Sequence, residues 1–437
     1  MKSLWCLSLS FATSVELCSL LAQSEAYGFY DLLAHCSSTN YNLKIADLNI
    51  RLAQNAERLA RYEFLEPVFQ ANYSYQNNTE LPVSLFPAET FGGKEGEFVR
   101  IQTGNKYAEN FNQSLEIGLI QPGSVSKWKA SQAQTRLAQL NKELTKQDIF
   151  KEIANAYATY QSAQRQMEFT IKAIHALDSI VQLSKLKWEA GTIDKSKLVE
   201  AELKFVRAMR SLEDIELSCF EQHSYLMYLS GLDTSTKLVT EDSLFLKLMD
   251  AERLFASGLK LEQLETASAY ENYMRKYDNR QALPSLSLVG SNTFQNFGNS
   301  VPISSGLDNW IQSNYIGISL TWRLSVFDHL TKSNKGKVNG QIDRVEEEQE
   351  HSRLKYEQVK EAGKRIHLLN LWKNQELYAA KVQYLFENAN WKYQKGSADS
   401  SEVLDEFEHW CNENVVLESY RLKYEIELIN NWIFGYE

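Results

Sequence analysis

Proline and cysteine are the scarce residues of this 437-residue chain, which has six of the one and five of the other. No CxxC pair occurs, and Cys6 and Cys18 fall within the first 26 residues. The remaining Cys36, Cys219 and Cys411 are odd in number, so the pattern points to neither a disulfide framework nor a zinc site. Basic charge is short as well: 46 Lys and Arg stand against 56 Asp and Glu, a formal net charge of −10, which argues against a nucleic-acid partner. The seven histidines, among them His35, His175, His223 and His367, show no HExxH or other ligand spacing. Gly92-Gly93 and the run to Gly96 are not followed by Gly-Lys-Ser/Thr, so there is no phosphate loop. The sequence therefore offers no catalytic, metal or cofactor constellation and reads as a non-enzyme. Long apolar runs are missing too. Beyond the first 26 residues no window holds ~18 consecutive apolar residues, so no membrane-spanning helix is expected. If the mature chain enters a membrane, it does so as strands of a closed barrel. With 43% hydrophobic and 23% charged residues, neither disorder nor a polytopic helical membrane protein fits.

Residues 1–26 read as a secretory signal. Lys2 gives a short positive start, residues 4–22 are mainly apolar, and Ser24-Glu25-Ala26 offers small residues for cleavage. Glu16 is atypical inside such a stretch, and the other reading is a buried first helix. Val15-Glu16-Leu17 before Cys18 lacks the small residues of a lipoprotein cleavage site, so lipid attachment is not expected.

The few prolines are clustered. Pro67, Pro82, Pro87 and Pro122 form one group, Pro284 and Pro302 another, and residues 123–283 and 303–437 contain none. Proline is excluded from helix interiors because it removes a donor and clashes with the preceding turn. The two proline-free tracts thus predict long helices. In the first, Leu137, Leu140, Leu144, Ile149, Ile153, Tyr157, Tyr160, Ala163, Met167, Ile171, Ile174, Leu177 and Val181 recur mostly at steps of three or four. Val338, Ile342, Val345, Tyr356, Val359, Ile366, Leu369 and Leu385 outline a second helix. The first extends over residues 124–190, on the order of 100 Å at ~1.5 Å per residue. A helix so far beyond the usual length needs neighbours along it, as in a bundle or a barrel of helices. A soluble coiled-coil rod has the same periodicity.

The proline-bearing stretches alternate instead. Phe69, Ala71, Tyr73 and Tyr75 interleave with Gln70, Asn72 and Ser74, and Leu115, Ile117 and Leu119 with Ser114, Glu116 and Gly118. Leu286 and Leu288 interleave with Ser285 and Ser287, and Ile316, Ile318, Leu320, Trp322 and Leu324 with Gly317, Ser319, Thr321 and Arg323. Period two with one polar face predicts four strands. Apolar outside, small or polar inside and aromatic at the ends is the weak signature of a membrane β-barrel, though a half-buried soluble sheet alternates likewise. Residues 76–106 and 298–312, rich in Gly, Asn, Ser and Pro, read as exposed hairpin connections.

The chain also resembles itself at an interval near 205 residues. Lys187-Trp188-Glu189-Ala190-Gly191-Thr192-Ile193-Asp194 matches Lys392-Tyr393-Gln394-Lys395-Gly396-Ser397-Ala398-Asp399, and Ser196, Leu198, Val199 and Glu200 match Ser401, Val403, Leu404 and Asp405. Leu65-Glu66-Pro67 pairs with Ala282-Leu283-Pro284, and Ile117-Gly118-Leu119 with Ile316-Gly317-Ile318. Each half reads helix, strand, strand, long helix, Gly turn, returning helix. The boundaries expected are a signal peptide at 1–26, a first repeat at 27–232, a linker or equatorial segment at 233–252 and a second repeat at 253–437.

In that order the sequence resembles the TolC-like outer-membrane efflux and secretion channels, over about residues 29–433. The motifs are Asn42-Leu43-Lys44, Leu65-Glu66-Pro67, Gly118-Leu119-Ile120-Gln121-Pro122 and Trp188-Glu189-Ala190-Gly191-Thr192 in the first half. The second half has Leu283-Pro284-Ser285-Leu286-Ser287-Leu288, the run from Gly317 through Trp322 to Phe327-Asp328, and Tyr393-Gln394-Lys395-Gly396. It departs from the family at Tyr41, Arg323 and His329-Leu330, and lacks a Phe-Asp element after Pro122.

The resemblance implies a mainly α fold with a small β part: long antiparallel helices forming an α-barrel, and four strands per chain in a trimeric twelve-stranded barrel. It implies a homotrimer in the outer membrane of a Gram-negative cell, its helices in the periplasm. Such a channel conducts cargo passively in tripartite efflux or type I secretion, with a periplasmic adaptor (membrane fusion) protein, an inner-membrane pump and outer-membrane lipid as partners. The helix-turn tips at Gly191 and Gly396 are then the periplasmic end. Glu402 and Asp405, three residues apart on one helical face, occupy the positions of the family's entrance carboxylates, with Asp399 beside them. An acidic ring there favours cations; an ordinary acidic helix start is the plainer reading. Ser196 and Lys197 hold the positions of inter-tip contacts, and Lys197 is expected to pair with Glu402 or Asp405. The acidic run Glu346-Glu347-Glu348 reads as a solvated helix face. The alternative function is a soluble periplasmic or secreted coiled-coil scaffold or adhesin.

Overall fold

A computed structural model describes residues 26–240, 258–300, 310–322 and 326–434. Residues 1–25 of the leader, residues 241–252 of the expected linker, residues 301–309 of the second connection, and Arg323 and Leu324 of the fourth expected strand lie outside the described residues. The elements in order are α1 (Phe29–Thr39), α2 (Tyr41–Tyr62), β1 (Val68–Asn77), β2 (Val83–Pro87), β3 (Phe98–Gln102), β4 (Tyr107–Ile120), α3 (Ser124–Glu189) and α4 (Lys195–Ser230). Then follow α5 (Leu259–Arg280), β5 (Ser285–Gly298), β6 (Ile311–Thr321), α6 (Val326–Gln394) and α7 (Ser400–Phe434). The fold is mainly α with a small β part, as expected. Helix α3 has 66 residues and α6 has 69, each lying within a proline-free tract. No helix among the described residues is long and apolar enough to cross a membrane.

The chain divides into two compact units, each drawn from both halves of the sequence. One comprises Met1–Asn49, Ala138–Leu264 and Glu346–Glu437; the other comprises Ile50–Leu137 and Glu265–Val345. Among the described residues, three clusters of buried apolar side chains lie in the first unit. Phe29, Leu32, Ile153, Tyr157, Met227 and Ile433 centre one of them, where α1, α3, α4 and α7 meet. Tyr27 bridges Leu238 and Tyr157 donates to the Val239 carbonyl, which fastens the described start of the expected linker to this cluster. A second cluster joins Leu177 and Ile180 of α3, Ala201 of α4, Phe386 and Tyr393 of α6, and Val403, Leu404 and Phe407 of α7.

Of the α3 face read from the sequence, Leu140, Ile149, Ile153, Tyr157, Ala163 and Leu177 are buried, while Ile171 is exposed. The α6 face is corrected more strongly. Val338, Ile342, Val345, Tyr356, Val359, Ile366 and Leu385 are all exposed, and α6 turns Leu368, Ala379, Val382, Phe386 and Tyr393 inward instead. A long helix can carry two apolar stripes, and periodicity marks both without saying which one its own chain covers.

The second unit holds a four-stranded antiparallel sheet in the order β1-β4-β5-β6. Directly opposed residues share a face, and the register gives one face richer in apolar side chains, on which Glu109, Gln113, Asn292 and Asn296 also lie. Phe69 opposes Leu115, Tyr73 opposes Phe111, Phe111 opposes Phe294, and Leu288 opposes Ile318. On the other face lie Gln70, Asn72, Asn112, Ser114, Ser291, Thr293 and Ser313, with Ser291 and Thr293 donating to the Asn112 amide oxygen. Among the described residues, the edge strands β1 and β6 have no strand beyond them in the sheet. The connection expected at residues 76–106 contains a second, two-stranded hairpin of β2 and β3, in which Leu85 opposes Arg100 and Phe86 opposes Val99. Short apolar triplets among Pro, Gly and Glu hid these strands, because five residues carry little period-two signal.

Candidate functional site at the helix-turn tips

Helices α3 and α6 both end in a glycine with positive φ, Gly191 at 72° and Gly396 at 76°. The left-handed conformation is nearly free for glycine and lets the chain reverse. The same hydrogen bonds close both turns. Thr192 N–H donates to the Lys187 carbonyl at 2.8 Å, and Ser397 N–H to the Lys392 carbonyl at 2.9 Å. The Thr192 and Ser397 hydroxyls reach those same carbonyls at 2.7 and 3.1 Å.

Beneath the turns Tyr393, 1% exposed, anchors the tip. Its hydroxyl shares a 2.7 Å hydrogen bond with Ser184, its carbonyl accepts from Lys187 Nζ at 2.7 Å, and that ammonium sits 3.5 Å from the ring centroid. Burial pushes the Lys187 ammonium below the usual lysine range, against the opposing pull of Asp399.

The two tips of one chain meet through lysines. Lys197 Nζ donates to the Ser401 hydroxyl and lies 3.7 Å from Asp399 and 3.8 Å from Glu200. Burial opposes the Asp399 carboxylate. The Ser400 N–H, Lys197 and the Ser401 and Ser400 hydroxyls outweigh it and hold that group below the usual carboxylate range. The expected pairing of Lys197 with Glu402 or Asp405 is thus not the one within the chain. Asp405 is met instead by Lys204, 3.7 Å away, which also donates to Glu408 at 2.9 Å and to the Leu404 carbonyl at 3.1 Å. The Lys204 hydrogen bond and charge, helped by Arg207, hold the Glu408 carboxyl low against burial. Lys204 escaped the sequence reading. Its available signal was position: it lies seven residues, two helical turns, after Lys197, on the same face of α4.

Glu402 and Asp405 are exposed on one face of α7, Asp405 at 75%, and Asp399 is 61% exposed. Ser196 is exposed at the start of α4. The tips therefore combine a packed interior, two cross-tip lysines and three outward carboxylates. Such an arrangement can set a local field and hold two hairpins together, but it assembles no nucleophile with a base.

No protein-family model matches the sequence, and no curated protein matches it either. Solved structures do. The outer-membrane channel CmeC of Campylobacter jejuni matches at a TM-score of 0.71 and 16% identity, over 93% of this chain and 85% of CmeC. The outer-membrane protein VceC of Vibrio cholerae matches at 0.71 and 15% identity, over 93% of this chain and 96% of VceC. The channel MtrE of Neisseria gonorrhoeae, solved in its open state, matches at 0.66 and 14% identity, over 93% and 88%. With this element order and these tips, the fold of the chain is that of the TolC-like outer-membrane channels.

Proposed function

We propose that the chain is one subunit of an outer-membrane channel-tunnel, which conducts cargo passively from a periplasmic adaptor and an inner-membrane pump to the exterior. One observation carries this reading: a four-stranded sheet with one face richer in apolar side chains, a polar face and two open edges. In lipid an open edge leaves peptide groups without partners, at several kcal/mol each, so such a sheet must close on further copies of itself. Three copies give twelve strands, an even number as in bacterial barrels, with the Asn and Ser face toward the lumen. The exposed stripe of α6 likewise calls for helices from other chains. Likeness to solved outer-membrane channels supports the same reading. Residues 1–26 are then the export signal, and 27–232 and 253–437 are the two repeats on either side of a linker at 233–252.

The periplasmic entrance is placed at the tips, where Asp399, Glu402 and Asp405 from three copies form an acidic ring selective for cations. Lys197 and Lys204 keep the ring closed by tying the tips of each chain, and Ser196 faces the next tip. An exposed ion pair is worth only ~0–1 kcal/mol, so the ties act together.

Single-channel recording in planar bilayers tests both levels. Purified protein is expected to form cation-selective pores, and Lys197→Glu to raise the conductance. Absence of any pore, with the protein recovered as a soluble monomer, overturns the channel. Pores whose conductance Lys197→Glu leaves unchanged overturn only the tie.

A further inference from the structure

Strands β1, β4, β5 and β6 contain no Lys, Arg or His, and their only carboxylates are Glu109 and Glu116 of β4. An odd number of residues apart on one strand, the two fall on opposite faces of the sheet. Glu109 lies on the face richer in apolar side chains and is 7% exposed. Tyr73 donates to its Oε1 at 3.2 Å and Asn296 to its Oε2 at 3.4 Å, so each oxygen has a partner from an adjoining strand. A carboxylate on a surface turned to lipid is costly unless its neighbours seal it.

Glu116 is the opposite case. It lies on the polar face, is exposed, and makes no hydrogen bond or ion pair among the described residues. Its row explains this. Glu116 is flanked by Val68 of β1 and Val289 of β5, and Gly317 of β6 stands beyond Val289. No side chain in that row can donate, and a Cβ built on Gly317 would meet nothing within 4 Å. Elsewhere on this face neutral groups satisfy one another, as Ser291 and Thr293 do with Asn112. A carboxylate without partners needs water around it.

Closing three copies with this face inward sets three bare carboxylates at one level of the barrel, with no cation on the strands to answer them. Twelve strands ~4.8 Å apart and tilted by about 40° give a backbone radius of about 12 Å. Side chains reaching inward from that wall come within about one Debye length of the axis, ~8 Å at physiological salt. Walls of low dielectric focus the field further. We propose that Glu116 is a selectivity-determining residue: three copies form a cation-favouring ring inside the strand barrel that acts independently of the tip carboxylates. This inference rests on the three-copy reading above.

Planar-bilayer recording of the full-length protein under a KCl gradient provides the test. Glu116→Gln is expected to lower the permeability of K+ relative to Cl− at least about twofold at 0.1 M salt. At 1 M, where the Debye length is ~3 Å, it should have little effect. The same loss is expected in a chain whose tip carboxylates are already neutral, carrying Asp399→Asn, Glu402→Gln and Asp405→Asn. Glu116→Cys treated with an anionic methanethiosulfonate should regain the parental ratio, and a cationic reagent should take it below that of Glu116→Gln. Leu115→Cys, on the opposite face, should respond to neither, with the reagent-treated parent as control for its own cysteines. Pores whose ratio ignores Glu116→Gln and both reagents overturn the ring and leave the channel standing. A ratio that responds to Glu116→Gln only while the tip carboxylates are present overturns the independent ring. Protein that forms no pore overturns the channel reading itself, and the ring with it.

Discussion

At the scale of single residues, the tips concentrate strain-sensitive and hydrogen-bonded positions. Gly396→Ala places a Cβ on a backbone at φ 76° and is expected to cost about 1–2 kcal/mol, read as a lower melting temperature. Tyr393→Phe removes the hydroxyl shared with Ser184 and is expected to cost about 1 kcal/mol while leaving the ring packing intact. Away from the tips, Glu427 of α7 is 2% exposed and 2.6 Å from Lys364. Burial nonetheless lifts its carboxyl to about 7 from a usual 4.5, reinforced by its hydrogen bond with Glu361 and opposed by Lys364. A raised carboxylate means that the folded chain holds a proton the unfolded chain has released. The stability this brings is complete below pH 4.5 and is lost as the pH rises through about 7. Glu427→Gln should therefore melt near the parent temperature at pH 5 and above it at pH 8; equal shifts at both pH values contradict the assignment.

At the scale of elements, the question is what each helix and strand covers. The tip cluster is closed by Leu404 and Phe407 of α7 against Leu177 and Phe386, so Leu404→Ala is expected to cost about 2–5 kcal/mol. Lys204→Met keeps the apolar stem but frees Asp405 and Glu408. It is expected to raise the conductance of the pore without lowering the helical content measured by circular dichroism. The Glu408 carboxyl is held low by Lys204, so the native tie is complete above the usual carboxylate range and lost as the pH falls through the lowered value beneath it.

Much at this scale was legible. Proline-free tracts and a three-and-four spacing marked α3 almost to the residue and gave α6 its existence without its ends, because no other residue breaks a helix as surely as proline. Period two marked β1, β4, β5 and β6. The hairpin β2–β3 was not legible, since five-residue strands flanked by Pro82 and Gly92 leave too few alternations to count. Lys204 was missed for another reason. A lysine on a helix is common, and only the folded register brings it to Asp405 and Glu408.

At the scale of the whole molecule, what one chain leaves undone is as informative as what it packs. Two sheet edges stay open, the apolar face of the sheet is uncovered, and stripes on α2, α4 and α6 present Leu52, Leu203, Leu217, Val359 and Ile366 to solvent. Monomeric soluble proteins rarely expose apolar surface on that scale. For α6 the sequence showed Val359 and Ile366 without their fate, because periodicity records that a face is apolar and not whose surface covers it; the stripes of α2 and α4 were not read from it. The most direct measurement is the number of chains in the particle extracted from outer membranes in mild detergent, obtained by native mass spectrometry. Three copies in a single detergent belt are expected. A stable single copy that dissolves without detergent would contradict the closed barrel and everything built on it.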